Sequence, residues 1–412
     1  MCMCEAGPSW WRKPASTAVS RSERCWAMGW VLRRRAAAGR PRARRVRDRR
    51  RPPYPRGASA SSTAPAPVGS RPMPDRLPIR RAVRLAGGAG LAALLLVVLV
   101  LVATGDDPGA TRSAAATTGP AAPAGARATS GAALDAALRA ARRPDRAVPS
   151  ARTRRFDADR ALRLVRLQVA AGPRPAGSAA LARVRRQLVR RLPRAREEAV
   201  AGHPGLVNVV GRIPGRAPAI VLAAHYDTQL RPEGFVGAND SAAGTAAVLE
   251  AARALARQER PAGAREVRFV LFDGEELPVG GSEDAFARDG LRGSRAYAAA
   301  HADEVGALVL ADYVAGRGLR LPRELGSDPG LWGRVRAAAT RVGVGRVFAG
   351  TGVGIIDDHL PFVQAGVPAV DLIDWDYPQK NTGRDTLDRL SAGAMDATGE
   401  TLVEWAATER RR

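Results

Sequence analysis

The sequence predicts an α/β protein of three layers, α/β/α, with a mostly parallel, twisted central sheet and helices on both faces. Two observations carry this expectation. Short uninterrupted apolar runs at 219–224, 267–272, 307–311 and 369–373 read as strands buried on both faces, because a strand with one wet face would alternate apolar and polar residues. Between the runs lie stretches with apolar residues at helical spacing. Such alternation implies parallel strands joined by crossover helices.

In chain order, residues 156–171 predict a helix, with Leu162, Val165 and Val169 on one face and a Gly-Pro-Arg-Pro break at 172–175. Ser178 caps a second helix carrying Leu181, Val184, Leu188 and Leu192. The run 219–224 is the first strand, followed by a helix over 241–257 with Val248, Leu249, Ala252 and Leu255 inward. Strands at 267–272 and 307–311, a helix at 331–342, a strand at 369–373 and a closing helix at 394–407 complete a domain over 155–412. No internal repeat is present.

The residues before this domain are of another kind. Residues 1–72 are basic and of low complexity, with an Arg-rich run from Arg33 to Arg51, and are expected to be disordered. A fresh pattern starts at Met73, which is a candidate for the true start in place of Met1. Arg76, Arg80, Arg81 and Arg84 precede an uncharged stretch at 85–104, and Asp106 and Asp107 follow it. About twenty apolar residues span a bilayer core, so 73–105 reads as a basic flank and a signal anchor. The arginines place the amino end inside and the domain outside the cytoplasm. Cleavage of the segment would make the domain secreted instead. Residues 106–154 are rich in Ala, Pro, Gly and Thr and read as a flexible linker.

The net charge of +25 would suggest a nucleic-acid binder, but its distribution argues against one. The first 84 residues carry 21 Lys/Arg against 4 Asp/Glu, a net +17, which leaves only +8 for the other 328. A basic reading surface belongs on the folded part, so no nucleic-acid partner is expected. All three cysteines, Cys2, Cys4 and Cys25, lie in the same leading segment, which excludes thiol catalysis and disulfides from the domain.

Polar residues gather where the strands end, which is where α/β sheets place functional groups. His225 and Asp227 follow the first run, and Asp240 opens the next helix. Asp273, Glu275 and Glu276 follow the second run, Asp312 ends the third, and Asp357, Asp358 and His359 precede the fourth. One such acid is an ordinary helix cap. Five groups in one domain suit a zinc site, which takes nitrogen and oxygen ligands and keeps one position open for chemistry. Of two adjacent glutamates, one can bind metal while the other carries protons.

The motifs GPRPAGS (172–178), AAHYDT (223–228), GANDSAAGTAAVLE (237–250), FDGEE (272–276), GSRAYA (293–298) and DDHLPF (357–362) follow one another along the chain. In that order they resemble the zinc aminopeptidases and glutaminyl-peptide cyclotransferases, from about Gly172 to the end. The resemblance implies one or two zinc ions and a peptide or protein N-terminus as substrate. By it, His225 is the histidine of the first metal, with Asp227 orienting it, and Asp240 binds one metal or bridges two. Glu275 is the general acid/base, Glu276 a ligand of the second metal, and Asp312 the acid that completes the first set. Asp357 hydrogen-bonds within the active site. The catalytic carboxylates are thus Glu275, Asp312 and Asp357. The sixteen residues at 277–292, which separate the Glu-Glu pair from Gly-Ser-Arg, resemble the cyclase branch more than the peptidase branch. Trp375 is either an aromatic wall of the substrate site or a core residue.

The pattern breaks at one place. Where the family has a histidine before its last Asp-Thr, this chain has Asn381, ahead of Asp385-Thr386. A neutral amide oxygen is a poor zinc ligand beside imidazole. Either Asn381 ligates weakly, or the metal moves to His225, Asp240 and Asp312, or the site is empty and the protein binds peptides without turnover. The resemblance therefore implies cyclisation of N-terminal glutamine, with aminopeptidase activity and a membrane-anchored peptide binder as alternatives.

Overall fold

The structure, a computed structural model, describes residues 130–412. The basic segment 1–72, the membrane span expected within 73–105 and residues 106–129 of the expected linker lie outside the described residues. No helix among the described residues is long and apolar enough to cross a membrane.

One six-stranded sheet is built from β1 (Arg196–Ala199), β2 (Val207–Ile213), β3 (Arg216–His225), β4 (Arg265–Phe272), β5 (Val305–Asp312) and β6 (Ala369–Ile373), in the order β1-β2-β4-β3-β5-β6. The four anticipated runs are β3 to β6, and they pair in parallel as β4-β3-β5-β6. The sequence reading omitted β1 and β2, which add an antiparallel edge. Their polar residues, Glu197, Glu198, Asn208 and Arg212, interrupt the apolar run that identified the others.

The helices are α1 (Gly131–Ala141), α2 (Ala158–Val169), α3 (Ala179–Val189), α4 (Gly244–Ala256), α5 (Phe286–Asp289), α6 (Arg292–His301), α7 (Pro329–Arg341), α8 (Leu360–Gln364) and α9 (Ala392–Glu409). Successive strand residues feed opposite faces. Ile220, Leu222 and Ala224 join a core with α1, α2, α3, α4, α7 and α9. Val221 and Ala223 join a second core with Tyr297 of α6 and Phe362 of α8. Burial on both sides explains why these strands lack alternation.

Residues 130–154 correct the linker expectation. Ser130 caps α1 by accepting the Ala133 N–H at 3.2 Å, and Leu134, Leu138 and Ala141 enter the core. Composition reads as linker, yet these three residues stand four and three apart and form one apolar stripe. Val148 and Ala151 continue the packing.

The topology positions the site. The β3–α4–β4 crossover runs over one face and the β4–α6–β5 crossover over the other, so the carboxyl end of β3 lies where the winding reverses. Ligands of open α/β sheets bind at such a place. The register sets His225 opposite Phe272, and Asp312 opposite Ile373. Residues following β3, β4 and β5 therefore meet at one edge.

Candidate metal centre

His225, the last residue of β3, is 2% exposed and organises the centre. Its Nε2 lies 3.2 Å from Asp240 Oδ1 and 3.6 Å from Asp312 Oδ1. On the other side Nδ1 faces Asp227 Oδ1 at 3.4 Å and Glu275 Oε2 at 3.8 Å. The Thr245 hydroxyl donates to the His225 carbonyl at 2.7 Å, which ties the strand end to α4.

Asp240 sits in a tight turn, Ala238–Ala243, ahead of α4. Gly237 opens it at φ 52, where any Cβ would overlap the Asp240 carbonyl. The Asp385 carboxylate accepts the N–H groups of Asn239 and Asp240 at 2.9 and 3.0 Å. Arg174, fully buried, donates to the carbonyls of Tyr226, Val236 and Gly237 at 3.3, 2.6 and 3.0 Å. Burial lowers its guanidinium to about 10, against the raising effect of Asp240 and Asp227, so it remains a cation at neutral pH beneath the acids.

Glu275 and Glu276 follow β4 after Gly274, and their backbone N–H groups donate to the two oxygens of Asp227, each at 3.3 Å. Arg292 of α6 donates to the Glu276 carbonyl at 2.7 Å from behind. Burial pushes the Glu275 carboxyl well above its ordinary range, opposed by His225 and reinforced by Glu276. Glu276 is raised by burial and then by Asp240, and Asp312 is raised to about 7, chiefly by burial. Burial alone would lower His225, but the adjacent carboxylates of Asp227, Asp240 and Asp312 raise it well above its usual value.

So many buried carboxylates around one imidazole call for a cation. Among the described residues, two triads have ligand atoms close enough to share one: His225, Asp240 and Asp312, or His225, Glu275 and Glu276. The second would use Nδ1, which Asp227 faces. A carboxylate behind a ligating histidine holds that nitrogen as N–H and leaves the other free. Nε2 therefore points to the first triad as the one that fits a metal.

Asp357 lines the same cavity, itself buried. Burial raises its carboxyl, and His359 and His225 lower it. Asn381 reaches the centre but is engaged there. The Tyr313 hydroxyl lies 2.7 Å from Asp240 Oδ2 and 2.8 Å from Asn381 Oδ1. Both Tyr313 (φ 44) and Asn381 (φ 54) are left-handed. For a bulky aromatic residue that conformation costs on the order of 1–3 kcal/mol. Of the remaining histidines, His301 pairs with Glu198 and Glu304 at 3.3 and 3.4 Å, and His359 is buried against Glu324 at 3.3 Å. Neither they nor His203 line this cavity.

The sequence reading overlooked Tyr313, Asp385 and Arg174 as site residues. Asp385 belongs to the Asp-Thr pair already in view, which was the available signal for it; no pattern flagged a phenol beside Asp312.

The family model for peptidase family M28 matches residues 208–406. Acidobacteriales bacterium glutaminyl cyclase is 30% identical, superposes on 64% of this chain and 99% of its own, and gives a TM-score of 0.56. The chain belongs to peptidase family M28. Bovine glutaminyl-peptide cyclotransferase is similar to this M28 chain at 29% identity over 239 residues, 46% of this chain and 64% of the relative. The chain thus spans 64% of the length of that curated relative. Aminopeptidase YwaD of Bacillus subtilis is 27% identical over 195 residues, 45% of this chain and 39% of its own.

Around its acids the M28 chain has a cavity of about 870 Å³, with Leu230, Leu277, Phe286, Ile355, Ile373 and Trp375 among its walls. Residues 277–292 line it through Leu277 to Gly281, Glu283 and Phe286, so the inserted segment forms part of the site. Trp375 is a wall residue, 39% exposed, with the Lys380 ammonium 3.0 Å from its ring centroid.

Proposed function

We propose that the domain described over residues 130–412 is a zinc-dependent enzyme acting on peptide N-termini, and that its reaction is cyclisation of an N-terminal glutamine. One observation supports it above others: His225 Nε2 lies within 3.6 Å of both Asp240 and Asp312, while Glu275 stands 3.8 Å from the opposite nitrogen. A metal triad and a carboxyl not needed by it thus share one imidazole.

His225, Asp240 and Asp312 would hold the zinc, which supplies a Lewis acid for the reacting carbonyl. Glu275 takes a proton from the substrate α-amine as its nitrogen closes on the side-chain amide carbon. It then gives that proton to the departing nitrogen, which leaves as ammonia. One C–N bond forms, one breaks, and no water is consumed. A carboxyl raised by burial suits both acceptance and return of the proton. Asp357, which lines the same cavity, offers a hydrogen-bond partner to the substrate amide. The inserted segment 277–292 in the cavity wall supports the cyclase branch.

A second reading, removal of the N-terminal residue by hydrolysis, draws support from the size of the cavity, about 870 Å³, which is roomy for a glutamine side chain. Glu275 would then deprotonate a water and protonate the leaving amine.

The test uses the full chain with added zinc. Ammonia release from a Gln-peptide without free amino acids is the expected result. Free amino acid release selects the second reading, and absence of both overturns the enzymatic proposal in favour of a peptide binder. The expected anchor at 85–104, with the domain outside the cytoplasm, goes with this proposal and is tested by fractionating membranes and periplasmic or culture fluid.

A further inference from the structure

The missing histidine at 381 has a counterpart in the fold. We propose that Tyr313, paired with Asn381, closes a second cation position beside Asp240, so that the chain holds a single divalent cation at His225, Asp240 and Asp312. The inference rests on the metal-centre reading above and adds the number and place of the ion.

A carboxylate that bridges two cations gives one oxygen to each. In Asp240 only Oδ1 faces the histidine, at 3.2 Å, whereas Oδ2 receives the Tyr313 hydroxyl at 2.7 Å. The same phenol oxygen lies 2.8 Å from the Asn381 side-chain amide. A phenol has one proton to donate, and the carboxylate takes it. That leaves the phenol oxygen against Asn381 Oδ1, an arrangement that turning the amide to present its NH₂ would relieve, since the O and N of an amide are assigned from their partners. A hydroxyl donor thus occupies the side of Asp240 on which a second cation would need an acceptor.

Tyr313 is fixed in this role. Its own N–H donates to the Asp312 carboxylate at 2.8 Å, and its ring packs on Tyr377 with centroids 6.0 Å apart. Tyr377 in turn donates to Asp385 at 3.0 Å, and Asp385 holds the Asp240 turn. The left-handed backbone at both 313 and 381 aims the phenol and the amide at each other. Restoring a histidine at 381 alone leaves the phenol on Oδ2, so one substitution does not reopen the position.

The test is metal content of the full chain after zinc loading and buffer exchange, read by elemental analysis. We expect one zinc per chain, still one in Asn381→His, and two in Tyr313→Phe/Asn381→His. Two in the unaltered protein, or one in the double variant with unaltered folding, overturns the inference. In a second arm, Asp312→Asn should lose the zinc and Glu276→Gln should keep it, and the reverse also overturns it. This arm decides by itself if the double variant does not fold. No zinc in the folded, unaltered chain overturns the metal-centre reading itself, an outcome distinct from the others.

Discussion

Asp227 Oδ1 lies 3.4 Å from His225 Nδ1, while the two oxygens of the same carboxylate accept the backbone N–H groups of Glu275 and Glu276. One buried acid thus orients the imidazole and pins the glutamate pair, linking the ends of β3 and β4. Asp227→Asn removes the charge behind the imidazole and replaces one acceptor by a donor facing backbone N–H groups. Loss of such a partner typically costs 10–100-fold in metal affinity. We expect zinc affinity to fall by about that factor in a chelator competition. Unchanged affinity would show that Asp227 does not orient the ligand.

Glu275→Gln separates proton transfer from metal binding. The carboxyl faces the cavity and lies outside the triad to which His225 Nε2 points. General acid/base catalysis contributes about 10²–10⁴-fold. Turnover of the Gln-peptide should fall by roughly that much while zinc content stays at its unaltered value. Loss of the metal in this variant would instead make Glu275 a ligand.

The buried acids set a pH dependence in the metal-free protein. Asp312, Asp273 and Asp385 are each raised to about 7, chiefly by burial. Unfolded, they ionise near 3.8, the ordinary value of a carboxyl here. Between these limits the folded state binds more protons than the unfolded one, so stability falls as pH rises from about 4 to 7. His225 acts in the same direction, since its raised value favours the folded state until it loses its proton. Chelator-treated protein should therefore melt at a higher temperature at pH 5 than at pH 8. Zinc should restore most of the difference at pH 8, because deprotonated ligands bind it better. A melting temperature that rises across this range without metal would contradict the assignment.

The main ligand candidates were legible because their residue types conflict with their positions. A histidine or acid closing an apolar run has no packing reason to be there, and His225, Asp240, Glu275, Glu276 and Asp312 indeed converge. Tyr313 was not legible. An aromatic residue after an acid is ordinary, and only the left-handed backbone turns its hydroxyl to Asp240. Asp385 carries its effect through backbone N–H groups, which no side-chain pattern announces. The strands β3 to β6 were visible as apolar runs, whereas Asn208 and Arg212 concealed β2. In α1, a linker-like composition masked the stripe of Leu134, Leu138 and Ala141.

The segment between α1 and α2 is held by Glu400 of α9, and this gives a stability test away from the metal. The carboxylate is fully buried. It accepts the Phe156 N–H at 2.9 Å and the Thr153 hydroxyl at 2.6 Å, and Arg155 approaches it at 3.5 Å. Glu400→Ala leaves the Phe156 N–H without a partner in a dry place, which costs about 1–3 kcal/mol. For a domain of this size each kcal/mol lowers the melting temperature by roughly 2–4 °C. Glu400→Gln retains an acceptor and should lose less. The alanine variant should also be cut faster by protease near residues 150–157, with zinc content unchanged. If melting and cleavage match the unaltered protein, Glu400 does not hold this segment, and the packing of Phe156, Leu134 and Leu138 suffices.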